Sequence, residues 1–181
     1  MLPVNTATST DALHDTPASP LLEKAGRLGL QLPLDLERLA IARGCDYYER
    51  ELSPRTPPLG DVPLSNAELA IALLTPSGTP TAREIRLAAA LLGGLDMSAE
   101  QVASLAVQEH CAESVQYIAE CGRRFEPQNR FWPTLLDHLP KVSVAPDRLP
   151  HPTRFVEMTG IDRGKVGVLT RWIRPRNPVA A

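Results

Sequence analysis

The chain has 181 residues, a formal net charge of -2, 43% hydrophobic and 22% charged residues, and three cysteines. A chain this long buries roughly two thirds of its unfolded surface, so a real core is expected, and the near-neutral charge draws the whole molecule to neither nucleic acid nor an anionic membrane. Three irregularly placed cysteines make no disulfide framework, no run approaches the ~20 apolar residues of a membrane span, and the opening MLPVNTATSTDALHD lacks basic and apolar signal regions. These features point to a cytoplasmic protein with no membrane contact.

Eighteen prolines, well above the usual share of roughly 5%, divide the chain. Residues 1–18 are rich in Thr, Ser, Ala and Pro and carry too little apolar surface to offset ordering entropy, which predicts a flexible leader. After Pro20, Leu21, Leu22, Ala25 and Leu28 form one side of a short helix that Gly29 ends. Ile41, Cys45, Tyr48 and Leu52 fall on a single helical stripe that stops before Pro54, and the proline-rich stretch 53–64 reads as a linker.

Three helix starts share one chemistry. Ser65 with Glu68, Thr81 with Glu84 and Ser98 with Gln101 fit the capping box, in which the hydroxyl accepts from the N3 amide and the N3 side chain reaches back. Their apolar faces are Leu69, Ala72 and Leu73; Ile85, Ala88, Ala89 and Leu92; and Val102, Leu105, Ala106 and Val107. A further helix carries Cys111, Val115 and Ile118 and ends near Gly122, and a short one follows Pro133. The shift of 33 residues from Ser65 to Ser98 is not sustained between its anchors, and two copies are fewer than a solenoid needs. The expected fold is mostly α: an irregular helical bundle of about six to seven helices over 19–140, followed at 141–181 by a proline-rich extended arm or β-hairpin.

The arm is basic. Residues 151–181 carry a net +4 and the first 150 a net -6. Its run Gly160-Ile-Asp-Arg-Gly164-Lys165-Val166 resembles a phosphate loop at a glance, but is one residue short, has valine in place of the hydroxyl and leads into a β-prone segment. Either Gly160 or Gly164 suits the positive φ of a hairpin turn. Arg154, Arg163, Lys165, Arg171, Arg174 and Arg176, with Trp172 among them, could contact nucleic acid phosphates and stack on a base. The alternative is a strap, with Trp172 and Ile173 docked on the helices and the arginines solvated or paired with the acidic body.

Other templates fail locally. Residues 98–124, the best helix-turn-helix candidate, lack the turn glycine and carry a net -2 where a recognition helix meets phosphate. Cys111 and Cys121, if on one helix, stand about 15 Å apart at 1.5 Å per residue, too far to share a metal, so Cys45, Cys111 and Cys121 read as small buried hydrophobes. His110 beside Cys111, and Asp137 beside His138, diverge by about 100° on a helix and form no catalytic dyad. No cofactor or metal site is expected.

Phe125, Phe131 and Trp132 are three of only eight aromatic residues, and they lie among Arg123, Arg124 and Arg130. Aromatic residues with arginine are the composition of interaction hot spots. The expectation is a non-catalytic protein-interaction module, an adaptor or subunit of a larger assembly, whose partner is another protein or a second copy. A nucleic-acid-binding accessory protein using the arm is the alternative, and an enzyme of unknown class the third.

Overall fold

A computed structural model describes residues 19–45, 59, 61–75, 80–94, 97–142, 156–161 and 168–175, with the backbone alone for 156–161 and 168–171. Among the described residues there are seven helices: α1 (Pro20–Arg27), α2 (Leu34–Ala42), α3 (Asn66–Leu74), α4 (Ala82–Leu91), α5 (Ala99–Gln108), α6 (Ala112–Phe125) and α7 (Phe131–His138). Two antiparallel strands follow, β1 (Val156–Ile161) and β2 (Val168–Trp172). The fold is mostly α, an irregular helical bundle with a C-terminal arm.

The centre of the bundle is α3. Ala67 and Leu69 through Leu74 are all buried, leaving only Asn66 and Glu68 outside that set, so this helix is apolar all round rather than striped. It packs on α1, α2, α4 and α5, while α7 lies across α5 and α6. Small residues make the close packing possible: Ala70, Ala88, Ala106 and Ala119 are fully buried.

Helix starts follow the sequence. The boxes at Ser65 and Thr81 are reciprocal: the Glu68 amide donates to Ser65 Oγ at 3.1 Å and the Ser65 amide to Glu68 Oε2 at 2.8 Å, with the same exchange between Thr81 and Glu84. At Ser98 only the hydroxyl half forms, the Gln101 amide donating to Oγ at 3.2 Å.

Three helices end in one way. The amides of Gly29, Gly44 and His110 bond back to Gly26, Ile41 and Val107, and those of Leu30, Cys45 and Cys111 to Ala25, Ala40 and Ala106. This is the Schellman pattern, which satisfies orphan carbonyls and buries the residue that follows the left-handed position. Leu30, Cys45 and Cys111 are accordingly buried. Gly29 and Gly44 take positive φ as glycines do, whereas at φ 56° His110 does so with a side chain.

Several boundaries differ from the sequence reading, each for a local reason. The stripe through Ile41 and Cys45 is no single helix, because α2 begins at Leu34, buries Leu36, Leu39 and Ala40 instead, and stops at Ala42 ahead of the left-handed Gly44. Tyr48, Leu52, the leader 1–18 and most of 53–64 lie outside the described residues. Gly122 does not end α6, which runs to Phe125 and stops at Glu126, the residue that Pro127 excludes from helical backbone. Nor does the last helix wait for Pro133: it starts at Phe131 and holds the proline in its first turn, where no intrahelical amide bond is lost. Leu28 and Val107, assigned to apolar faces, are exposed.

In the arm, Val156 pairs with Trp172 and Thr159 with Leu169, and the register slips between Thr159 and Ile161, at Gly160. The segment joining the strands, with Gly164, lies outside the described residues.

Candidate interaction surface

The C-terminus of α4 leaves carbonyls without helical partners, and the arm supplies some of them. Helical backbone breaks at Leu92 (ψ 145°) and turns at Gly93 (φ 74°). The buried Trp172 donates its indole Nε1–H to the Ala89 carbonyl at 2.9 Å, Arg174 donates to the Leu92 carbonyl, and Asn129 donates to the Gly93 carbonyl at 3.2 Å. Part of the arm thus completes the end of a helix more than eighty residues earlier.

Glu126 holds the other side of this corner. Its carboxylate accepts from Trp132 Nε1 at 2.7 Å, from Asn129 Nδ2 at 3.1 Å, from Arg174 Nε at 3.1 Å, and from Arg174 Nη2. The two bonds from Arg174 run to separate carboxylate oxygens, a bidentate, charge-assisted pair of the stronger kind. Asn129 Oδ1 also accepts from the Phe131 amide at 3.1 Å, fixing the entry to α7. Burial of the Trp132 indole is matched by a hydrogen bond, as a polar group inside a core requires.

The aromatic rings pack within this polar frame. Trp132 lies 5.1 Å from Trp172, tilted by 58°, and 5.1 Å from Phe131 in an edge contact, while the Arg174 guanidinium sits 5.8 Å above the Trp132 ring. Two glycines admit them. A Cβ on Gly122 would stand 2.3 Å from the Trp132 ring, and one on Gly93 would meet Trp132 at 2.8 Å and Arg174 at 3.1 Å.

Two groups of residues singled out separately in the sequence therefore converge: Trp172 and Arg174 from the arm, Phe131 and Trp132 from the aromatic cluster. Arg123, Arg124 and Arg130 are exposed, with the Arg124 guanidinium 5.4 Å from the Phe125 ring centre. Of the rest, Arg171 is described only by its backbone in β2, and Arg154, Arg163, Lys165 and Arg176 lie outside the described residues. Sequence reasoning missed Glu126, Asn129 and Gly93, and mistook the role of Gly122. A glycine inside an otherwise helical pattern, as at Gly122, is a signal of close approach that could have been read.

Two of the cysteines are held as thiols by burial. Burial, with the nearby Glu109 charge, pushes the Cys111 thiol up to about 12, and burial chiefly pushes Cys121 up to about 11. Both remain thiols at neutral pH, whereas nucleophiles and metal ligands need thiolate. Glu109, only 2% exposed, accepts from Ser19 Oγ at 2.5 Å and from the Leu21 amide at 2.9 Å, so it secures the start of α1. Among the described residues no three His, Cys, Asp or Glu side chains come together as a metal site, and no helix is long and apolar enough to cross a membrane.

Comparison with known proteins gives no significant match to a family model, a curated protein or a solved structure.

Proposed function

We propose that this chain is a non-catalytic protein-interaction module, an adaptor or subunit of a larger assembly, and that it works in the cytoplasm. The supporting observation is the convergence of arm and aromatic cluster at one corner, where Trp132, Trp172 and the Arg174–Glu126 pair form a packed interior and Arg123, Arg124 and Arg130 are exposed on the neighbouring segments. Arginine beside packed aromatic residues is the composition of protein interfaces.

A pull-down from native extract, with the wild-type chain and the triple variant R123A/R124A/R130A as baits, tests this reading. A specific partner retained by the wild type should be lost from the variant, with helical content unchanged. An identical partner set from both baits would remove these arginines from the function.

The nucleic-acid alternative draws instead on the basic residues of the C-terminal arm, but the docked Trp172 ring is buried, so stacking on a base would require its release. Salt separates the two readings. Phosphate contacts on duplex DNA give a log-log affinity slope of about -0.9 per phosphate neutralised. Absence of binding at low salt would exclude that alternative.

A further inference from the structure

Most of the described lysines and arginines are engaged within the chain. Lys24, Arg27, Arg38, Arg83 and Arg174 each pair with a carboxylate, and Arg43 donates to Asn66 and to two backbone carbonyls. Arg123, Arg124 and Arg130 differ. All three are exposed, and among the described residues none of them has a hydrogen bond or an ion pair. Carboxylates close to them in sequence are occupied elsewhere: Glu120 accepts from Gln116 Nε2 at 3.1 Å, and Glu126 is held by Trp132, Asn129 and Arg174.

The three arginines belong to one surface. A Cβ on Gly122 would stand 2.3 Å from the Trp132 ring, so the last turn of α6 lies directly against the first turn of α7, and the Asn129 amide closes the turn between them on the Glu126 carbonyl at 3.0 Å. Arg123 follows Gly122 and Arg130 precedes Phe131, so both flank that contact. Arg124 lies 5.4 Å over the half-buried Phe125 ring. A guanidinium held over a ring keeps its in-plane N–H fork free for a carboxylate. Stability accounts for only part of this placement. Cations favour the C-terminal end of a helix, which suits Arg123 and Arg124 in the last turn of α6, but Arg130 is the N-cap of α7, the end where positive charge is disfavoured. No acidic residue lies in the first turn of α7 to offset it.

We propose that Arg123, Arg124 and Arg130 bind an acidic segment of a partner protein, whose carboxylates take the guanidinium forks and whose apolar side chains cover the open parts of Phe125 and Phe131. Charge complementarity sets the sign of the occupant. Its class follows from the half-buried phenyl rings beside the arginines, which suit apolar side chains better than a phosphate backbone, and from the pairing of arginine with aromatic residues that marks protein interfaces. This inference rests on the assembly reading above and gives the chemistry of its partner.

Fluorescence anisotropy with three labelled probes tests it: a synthetic peptide alternating aspartate or glutamate with leucine, its asparagine and glutamine counterpart, and an oligodeoxynucleotide of equal charge. The wild type should bind the acidic peptide more tightly than either of the others. R123A/R124A/R130A should bind it about tenfold or more weakly, and R123K/R124K/R130K, which keeps the charge without the fork, should also lose affinity. No binding of the acidic peptide by the wild type, equal binding by the alanine or the lysine variant, or tighter binding of the oligonucleotide overturns the proposal. Arg130→Ala alone separates recognition from folding. It should weaken peptide binding while the thermal midpoint holds or rises, since it takes a cation from a helix N-terminus. A lowered midpoint with undiminished affinity would make Arg130 structural and overturn the three-arginine site. If extract yields a partner that depends on these arginines while the acidic peptide does not bind, the assembly reading stands and the acidic class falls, so the two failures are distinguishable.

Discussion

Two regions of the molecule are held together in different ways. Around α3 and α4 the interior is chiefly Leu, Ile and Ala on helices opened by capping boxes. At the corner where α4 ends, α6 turns into α7 and the arm returns, the interior is two tryptophans, two cradling glycines and a carboxylate that binds four donors. The first region is stabilised by area removed from water, which tolerates exchange of one aliphatic side chain for another of similar volume. In the second, each part is specified by the others, and replacing any one leaves a void, a clash or an unpaired polar group.

Trp132 gives the largest test of that contrast. It is fully buried, touches Phe131 and Trp172, and ties α7 to Glu126. Trp132→Ala should cost about 3–5 kcal/mol, the usual range for emptying a buried aromatic site. It should also free the arm, so chemical denaturation together with the near-ultraviolet signal of Trp172 would report both effects. In the aliphatic region, Ile71→Val removes one methylene and should cost only about 0.5–1.5 kcal/mol. Equal losses at the two sites would erase the distinction drawn between them.

Gly122→Ala approaches the same corner from the opposite direction, by adding an atom. The new Cβ would lie 2.3 Å from the Trp132 ring, so the indole or α6 must move. Overpacking of this kind costs typically about 1–3 kcal/mol, although alanine is intrinsically the better helix former by about 1 kcal/mol. A rise in thermal midpoint for this variant would mean that propensity wins and the close approach costs less than the ~1 kcal/mol of helix propensity gained.

The same contrast explains what could be read in advance. Ser65, Thr81 and Ser98 announced three helices because a cap and its partner lie within four residues, and chain-local chemistry leaves a chain-local trace. Gly29 likewise marked the end of α1. The corner left no such trace, since Glu126 meets Arg174 across 48 positions and Trp172 meets Ala89 across 83. Composition could single out Phe131, Trp132, Trp172 and Arg174 as unusual, but not that they meet. The Ile41 to Leu52 stripe misled for the complementary reason: its periodicity is genuine, but Gly44 ends the helix within it.

The caps offer a smaller and better-bounded test in the aliphatic region. Ser65→Ala removes the hydroxyl half of a reciprocal pair and leaves the backbone half, and Ser98→Ala removes the same kind of bond, so each should cost about 1 kcal/mol. Glu68 adds a pH signature. Burial acts to raise its pKa, but the hydrogen bonds from Lys24 and Ser65, with the Lys24 charge, outweigh it and hold the carboxyl below its ordinary value. A depressed carboxylate contributes stability that is fully present above the unfolded pKa of about 4.3 and is lost as pH falls through the folded value. Stability should therefore decline on acidification below about pH 4.3, and Glu68→Gln should flatten part of that decline in a denaturant titration repeated across pH.

Only His110 is expected to gain from replacement. It occupies the left-handed position after α5 at φ 56°, where Gly29 and Gly44 stand in the equivalent turns after α1 and α2, and its side chain is exposed. The left-handed conformation costs an L-residue roughly 1–2 kcal/mol that glycine avoids, but glycine loses more backbone freedom on folding. His110→Gly should therefore stabilise the protein by less than about 1 kcal/mol, read as a small rise in the denaturation midpoint with an unchanged slope. His110→Ala keeps the Cβ and its strain, and it should bring no such gain. If alanine and glycine raise the midpoint alike, the imidazole itself is the source of the strain, and the turn after α5 does not share the glycine requirement of the other two.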